Sequence, residues 1–565
     1  MKTLLKNGLI VNVFTDTLEK ENILICDGRI IGVGDYTDAD ADIVEDVSGK
    51  IICPGFIDGH IHIESTMLSP SEFAKAALPH GMTAIVADPH EIANVAGVRG
   101  IQYMLDASEG LPMDMYFVLP SCVPATALDE TGAVLNAEDL RPFYDHPRVL
   151  GLGEMMNYPG VLANDPPVME KIADARRLGK LINGHAPMLT GKALDKYIAA
   201  GISDDHECYD AQEAITRIRK GQWVMIRQGT AARNLEALLP LFDEPYCRRC
   251  ILVTDDRHPA DLIGEGDIDN VIRLAVKAGK SPLAAIRMAS LQAAEYFGIR
   301  SAGAIAPGYA ADLVITDDLE SLNIRTVYKN GKKVVSEGVV LPFDIPRTQE
   351  SIWSSIKHSF NTGVLAPQDF HIAPQNGKCR VIKLVPNQLL TEEQLETLDF
   401  TRANGIDTGR DILKLAVIER HMNTGHKGVG YIAGTGMKRG AIASSVSHDS
   451  HNLIVIGAND EDMASAANRI RSMGGGNVVV ADGEILAEMP LPIGGLMSTL
   501  PAEEVAEQNE KVRRAADSLG VSEGIEPFMH MAFISLSVIP KLKMSTVGLV
   551  NVEKQTIVPL FTDLR

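Results

Sequence analysis

The sequence is poor in cysteine, in tryptophan and in positive charge. It holds 7 Cys and 2 Trp among 565 residues, and its 53 Lys and Arg are outnumbered by 74 Asp and Glu. The formal net charge of −21 argues against binding to nucleic acid phosphates and to anionic membranes. The odd number of scattered cysteines argues against a disulfide framework and favours free thiols in a reducing cytoplasm.

Long apolar runs are also missing. No stretch reaches the roughly 20 apolar residues that are needed to span a bilayer. The opening residues MKTLLKNGLIVNVFTDTLEK contain neither a sustained apolar core nor a small-residue cleavage site, so we expect no signal peptide. We therefore predict a cytoplasmic protein. Its composition, 45% hydrophobic and 22% charged, is that of a globular chain and excludes a disordered one.

The pattern of apolar residues changes along the chain. Residues 1–52 alternate apolar and polar positions around an Asp27-Gly28 turn signal. The same alternation recurs over residues 300–345 around Asn330-Gly331. We predict one small β-sandwich domain built from both flanks. Residues 346–565 begin with a polar stretch that contains prolines and continue with mixed strand-like and helical segments, which predicts a C-terminal α+β domain.

Between the flanks, residues 53–299 alternate short apolar runs with amphipathic helical stretches. The runs of strand length lie at 55–62, 83–91, 114–121, 149–155, 181–187, 202–207, 223–230 and 250–258. Eight strand–helix units in about 250 residues are typical of a (β/α)₈ TIM barrel. An open doubly wound sheet is the alternative, and the count of strands favours the barrel.

Residues of metal-ligand type stand at the ends of the predicted strands. His60 and His62 are two positions apart in the first strand, so both imidazoles can face the same side. Strands four, five, six and eight end in Glu154, His185, His206 and Asp255. Barrel enzymes build their sites at the C-terminal ends of the strands. A single His at such a place is most often structural, but the joint pattern, in a chain with 15 His, predicts a metal site.

This set of histidines and carboxylates is large enough for two divalent ions with one bridging carboxylate. Two ions about 3.5–4 Å apart can share a water and lower its pKa towards neutrality. A ligand set without thiolate is compatible with Mn(II) or Fe(II) and does not exclude Zn(II). The residues therefore predict metal-assisted hydrolysis. A catalytically inactive barrel used for binding or assembly is disfavoured, because it needs no paired metals.

Several segments carry a resemblance to known proteins. The motifs are PGFIDGHIHIES (54–65), VADPHEIANV (86–95), NGHAPMLTG (183–191), SDDHE (203–207) and TDDRHP (254–259). Together they resemble the amidohydrolase superfamily and, within it, the bacterial-type adenine deaminases. Many amidohydrolases bridge their metals with a carboxylated lysine, whereas this chain has Glu154 in GLGEMMN, as the adenine deaminases do. The C-terminal segments GHKGVGYIAGTGMKRGAIASSVSHDSHNLI and ADGEILAEMPLPIGGLMS also resemble that family.

The resemblance implies hydrolytic deamination of adenine to hypoxanthine and ammonia, as in purine salvage, with a metal-bound hydroxide attacking C6. It implies a binuclear Mn(II) or Fe(II) centre, and we also expect a homo-oligomer, either a dimer or a tetramer. The alternative is a cyclic amidase of the same superfamily that opens a hydantoin- or dihydroorotate-like ring. Such an enzyme usually has a lysine bridge, where this chain has Glu154.

Roles follow for each candidate. His60, His62 and Asp255 are expected to hold the first metal, His185 and His206 the second, and Glu154 to bridge them. Asp255 is also expected to take a proton from the nucleophile and pass it to the leaving amine, as a general acid–base. Attack at C6 needs a proton or hydrogen bond at the purine N1. Glu91 is the first candidate for that task and His90 the second.

Four further residues are weaker candidates for substrate contact. Arg227 could contact the substrate or form an ion pair at the barrel rim, and Gln228 follows it in IRQGTAARN. Many adenine deaminases resembling this chain have an acidic residue at the position of Gln228. His448 and His451 in SHDSHN could act as a lid over the barrel mouth, bind a further metal or cap a loop.

Overall fold

The structure, a computed structural model, describes residues 1–230, 232–386, 388–401 and 403–562. Its central feature is a curled parallel sheet. We number its strands β1 Phe56–Ile61, β2 Met82–Ala87, β3 Asp114–Leu119, β4 Val149–Met155, β5 Leu181–Gly184, β6 Asp204–Asp205, β7 Trp223–Arg227 and β8 Cys250–Val253. Strands β1 to β5 pair in chain order, and so do β6 to β8. The strands start close to the predicted positions, but β6 is much shorter than the predicted run 202–207.

Backbone hydrogen bonds also join these two groups of strands. The Ser203 N–H donates to the Ile182 carbonyl over 2.9 Å, which ties the entry of β6 to β5. On the other side the Asp255 N–H donates to the His60 carbonyl over 2.9 Å, which ties the end of β8 to β1. The two ends of the chain segment that carries the strands are therefore neighbours in space.

Most of the strands are mainly apolar, whereas β6 consists of Asp204 and Asp205 alone. Every residue of β2 and of β8 is buried, as expected for parallel strands that are covered on both faces. The covering helices are Pro70–Ala77, His90–Ala96, Val98–Ala107, Ala137–Leu140, Tyr158–Ala163, Pro166–Arg177, Gly191–Ala199, Ala211–Arg219, Leu235–Leu238, Pro259–Gly264, Ile268–Lys277, Pro282–Met288 and Leu291–Phe297. No helix of the described residues is long and apolar enough to cross a membrane.

The two flanks of the chain share one sheet. Its seven strands, in spatial order, are Val339–Val340, Lys332–Ser336, Ile324–Lys329, Leu313–Thr316, Ile51–Pro54, Leu9–Asn12 and Thr17–Glu19. Val314 of the later flank pairs antiparallel with Cys53 of the earlier one. A second sheet contains Arg29–Gly34, Asn22–Cys26, Lys2–Lys6 and Ile43–Asp46.

The C-terminal residues form an eight-stranded sheet with helices. In spatial order its strands are Thr391–Glu396, Cys379–Leu384, Lys427–Ala433, Ile412–Ile418, Leu453–Gly457, Ala441–Ser444, Gly476–Ala481 and Glu484–Pro490. A three-stranded sheet, Leu542–Ser545, Gly548–Asn551 and Thr556–Val558, follows. The helices are Glu350–Lys357, Asp460–Met473, Ala502–Asp517 and Pro527–Ala532.

This C-terminal part lies against loops that follow the strands of the curled sheet. The Ser498 N–H donates to the Met67 carbonyl over 2.8 Å, just beyond β1. The Asn452 amide donates to the Glu130 carbonyl over 2.7 Å, in the loop beyond β3. Buried apolar residues of both parts belong to one continuous core. The C-terminal part is therefore packed over the end of the sheet at which the predicted ligands lie.

Candidate metal centre and active site

The strand ends bring the predicted ligands together. His60 lies in β1 and Glu154 in β4, while the other four follow β1, β5, β6 and β8 directly or by two residues. The His60 and His62 rings are 4.9 Å apart, which fits side chains two positions apart on one face of a strand. The His60 and His206 rings stack at 4.3 Å. All six predicted ligands therefore share one site, in which His185 is partly exposed and the other five are buried.

Glu154 lies at the middle of the cluster, with one oxygen turned to each side. Its Oε1 is 3.2 Å from His62 Nε2 and 3.9 Å from His60 Nε2. Its Oε2 is 2.6 Å from His185 Nδ1 and 3.3 Å from His206 Nε2. A carboxylate arranged in this way has the geometry of a bridge between two sets of imidazoles.

Asp255 faces the first set of imidazoles. Its Oδ1 lies 3.2 Å from His62 Nε2 and 3.7 Å from His60 Nε2. Its Oδ2 accepts a hydrogen bond from the Arg227 guanidinium over 2.6 Å. The same guanidinium donates to Glu207 in a very short contact. Of the two contacts expected for Arg227, with the substrate or in an ion pair, the structure shows the ion pair.

The electrostatics of the cluster suit a cation. Burial raises the pKa of Glu154, but hydrogen bonds from His185, His206 and His62 outweigh it and hold that pKa well below its usual range. Burial, reinforced by the nearby His206, lowers the pKa of His60 well below its usual range. His60 is thus a neutral imidazole among carboxylates.

Two imidazole nitrogens show how a metal would fit. His60 Nε2 is buried and has no hydrogen-bond partner among the described residues. His62 Nδ1 lies 3.0 Å from the Asp88 carbonyl, which can only accept, so Nδ1 carries a proton and Nε2 is the nitrogen left to face a metal. Imidazole nitrogens beside ionised carboxylates make a donor set for divalent ions, which displace any proton on those nitrogens when they bind. The residues present therefore fit a metal centre.

Glu91 and His90, the candidates for protonating a substrate nitrogen, lie beside this cluster at the start of helix His90–Ala96. His90 Nδ1 is 3.6 Å from Glu154 Oε1, and His90 Nε2 is 3.4 Å from Glu91 Oε1. Glu91 Oε1 is 2.6 Å from His448 Nδ1, and its Oε2 is in very short contact with His451 Nε2. The two histidines of SHDSHN thus reach the site from the C-terminal part.

For Gln228, by contrast, the structure shows no side-chain contact with the ligand cluster among the described residues. It is buried directly after β7, and its backbone N–H donates to the Val253 carbonyl over 3.1 Å. That bond continues the pairing of β7 with β8. This bond explains the position of Gln228 in the sheet, and it does not test whether Gln228 contacts the substrate.

Sequence reasoning missed two residues of the site. Glu207 Oε1 lies 3.4 Å from His206 Nε2 and 3.7 Å from His185 Nδ1, close enough to join the second set of ligands. Asp88 accepts the Glu154 N–H through Oδ2 over 3.0 Å, and its carbonyl orients His62 as described above. The signal was available, because both carboxylates stand within motifs quoted above, DPHE and SDDHE.

The chain matches two family models. Residues 51–334 match the amidohydrolase family, and residues 388–556 match the adenine deaminase C-terminal domain. The curled parallel sheet is therefore the fold of the amidohydrolase family, to which the chain belongs.

Curated relatives cover nearly the whole chain. Adenine deaminase 2 of Carboxydothermus hydrogenoformans is 46% identical over 557 residues, 98% of this chain and 96% of the relative. The adenine deaminase of Desulfatibacillum aliphaticivorans is 45% identical, with 99% and 96% covered. That of Geobacillus kaustophilus is 44% identical, with 98% and 96% covered. The chain belongs to the adenine deaminase family.

One glycine tests how tightly the bridge is supported. A Cβ at Gly153 would lie 2.1 Å from Asp88 Oδ2, the atom that accepts the Glu154 N–H. We expect Gly153→Ala to displace Asp88 and Glu154, to lower stability by about 1–3 kcal/mol as overpacking does, and to reduce metal content. Thermal unfolding and metal analysis measure both effects. Gly264→Ala, where a Cβ meets nothing within 4 Å, is the control, and unchanged metal content in Gly153→Ala would contradict the expectation.

Proposed function

We propose that this protein hydrolyses adenine to hypoxanthine and ammonia. The observation that carries the proposal is the near-complete match, including the C-terminal domain, to relatives named adenine deaminase. The position of Glu154 between two sets of imidazoles supports it, because a hydrolytic amidohydrolase needs such a donor set for its divalent metal. The chemistry belongs to purine salvage and breaks one exocyclic C–N bond.

We further propose the domain organisation that the sequence predicts. Residues 53–299 would form a closed (β/α)₈ barrel, which the backbone hydrogen bonds at both seams of the curled sheet support. Residues 1–52 and 300–345 would form a small β-sandwich, which the shared seven-stranded sheet supports. Residues 346–565 would form an α+β domain. The homo-oligomer and the cytoplasmic location stay predictions.

Two divalent ions are our proposal for the cofactor, with Mn(II) or Fe(II) as the first choice and Zn(II) as the alternative. His60, His62 and Asp255 would hold the first, while His185 and His206 would hold the second. Glu154 would contribute one oxygen to each, since its two oxygens face the two sets. When bound, such a pair lowers the pKa of a shared water and supplies the nucleophile at neutral pH.

Asp255 is our candidate for the group that moves the proton. Its Oδ2 is engaged by Arg227, which leaves Oδ1 towards the histidine cluster. Oδ1 would accept a proton as water adds to C6 and would deliver it to the departing amino group. Arg227, paired with both Asp255 and Glu207, would orient this carboxylate rather than bind the base.

Glu91 is our candidate for donating a proton to the purine N1, with His90 as the second choice. Protonation at N1 lets the ring accept electrons as C6 is attacked. Glu91 is buried beside His90, and His90 in turn lies next to Glu154, so an acid at this place is near the reacting carbon of a base held over the cluster. Gln228, His448 and His451 stay weaker candidates for contact with the base.

The test is ammonia release from adenine by the purified protein, stripped of metal and then reloaded with Mn(II). We expect no release from the stripped protein and a return of activity at about two metal equivalents per chain. If metal binds but adenine releases no ammonia, the proposed substrate is wrong. Cyclic amides of the hydantoin and dihydroorotate type are then the compounds to assay.

Removal of the bridging charge gives a second prediction. We expect Glu154→Gln to lose most of its bound metal and nearly all activity, because the amide cannot supply a negative oxygen to each side. Metal analysis and ammonia release measure the two losses. Glu170→Gln, at an exposed carboxylate that pairs with Arg141, is the matched control. Normal metal stoichiometry in Glu154→Gln would refute the bridge.

Asp255 gives a third prediction. We expect Asp255→Asn, assayed with saturating Mn(II), to lower kcat by about 10²–10⁴-fold, the usual contribution of a general acid–base group. The dissociation constant for adenine should change much less, because the carboxylate acts on the proton rather than on the base. Near-normal turnover by the metal-loaded variant would remove Asp255 from this role.

A further inference from the structure

One cluster of buried side chains has no part in the proposed metal centre. Glu91, His448 and His451 meet in the interior, and each of them is at most 5% exposed. Each carboxylate oxygen of Glu91 faces a different imidazole, His448 Nδ1 at 2.6 Å and His451 Nε2 in a very short contact. The histidines come from the C-terminal part and lie 357 and 360 positions away along the chain.

The segment that presents these imidazoles is held from behind by buried hydrogen bonds. His421 Nε2 donates to the Ser450 carbonyl over 2.7 Å, and the Ser535 hydroxyl donates to the His448 carbonyl over 3.1 Å. The Arg420 guanidinium donates to the His451 carbonyl in a very short contact. The backbone of Ser447–Asn452 is thus fixed independently of Glu91, unlike that of a mobile lid.

The hydrogen bonding of His451 favours a hydrogen-bond donor over a metal ligand. Its Nδ1 lies 3.2 Å from the Ser447 N–H, which can only donate, so Nδ1 is unprotonated. The remaining ring proton must then be on Nε2, the atom that faces Glu91. Nε2 therefore has no lone pair to offer an ion. The His448 ring stacks on Phe533 at 4.5 Å, which fixes its plane as well.

We propose that His448 and His451 are positioning residues that hold the Glu91 carboxylate in place, so that a proton it takes from a neighbouring imidazole is passed to the purine N1. The inference rests on the proposed function, in which Glu91 is that proton donor. His90 Nε2, 3.4 Å from Glu91 Oε1, is the competing partner towards which an unsupported carboxyl group would turn. The C-terminal part thus completes the catalytic site instead of merely covering it.

A double-mutant cycle tests the proposal. We expect His448→Ala and His451→Ala to lower kcat by about 10- to 100-fold, as a misplaced catalytic group does, with little change in KM and unchanged metal content. His448→Asn and His451→Gln should recover part of the loss, because an amide N–H stands where Nδ1 or Nε2 stood. When either alanine substitution is added to Glu91→Gln, kcat should not fall below that of Glu91→Gln alone. His358→Ala, at an exposed histidine, is the control.

Several results would overturn the proposal. If the alanine substitutions at His448 and His451 lower kcat by the same factor with and without Glu91→Gln, the histidines act elsewhere. A third metal equivalent in the native protein that disappears in His451→Ala would make the cluster a metal site. Crystal structures of the Mn(II)-loaded variants provide a readout without activity, in which Glu91 should turn away while the six metal ligands stay in place. If the native protein releases no ammonia from adenine, the proposed function fails, and the position of Glu91 in those structures alone decides the inference.

Discussion

A carboxylate removed from water must be compensated, and this requirement governs the centre of the molecule. Glu154 is only 3% exposed, yet imidazoles on both sides keep its pKa well below the usual range. Asp255 and Glu207 share Arg227 for the same reason. Each negative group has its partner on a different strand. The pairing therefore fixes how the strand ends stand relative to one another, and a cation added here would complete the balance of charge.

The need to compensate a buried carboxylate also links the C-terminal part to Glu91. Burial raises the pKa of Glu91, but the charges of His448, His451 and His90 outweigh it and lower that pKa well below its usual range. Since two of those three imidazoles belong to the C-terminal sheet region, the ionised state of Glu91 depends on a segment far away in sequence, and Glu91 can donate a proton only after it has taken one from a neighbouring imidazole. Without the C-terminal part, Glu91 would keep only His90 of these three imidazoles as a neighbour.

Much of the site could be predicted from the sequence, because strand geometry is short-range. Two histidines at i and i+2 face one side, and parallel strands end at the same edge of a sheet. Glu207 escaped prediction because SDDHE offers three carboxylates within four residues and the sequence does not tell which one turns inward. In the structure Asp204 accepts from Asn183 and Asp205 pairs with Arg217.

The contact of Glu91 with His448 and His451 could not be predicted, since it depends on how two distant parts of the chain pack. The length of β6 was overestimated because only Asp204 and Asp205 of the predicted run 202–207 pair as a strand, while His206 and Glu207 after them face the site. These errors concern packing and strand ends, where one sequence carries the least information.

The central claim is that Glu154 bridges two ions, and anomalous diffraction from crystals of the Mn(II)-loaded protein tests it most directly. The account predicts two anomalous peaks per chain, about 3.5–4 Å apart, one beside His60 and His62 and the other beside His185 and His206. Glu154 should contribute one oxygen to each. A single peak, or two peaks with Glu154 bound to only one of them, would contradict the account.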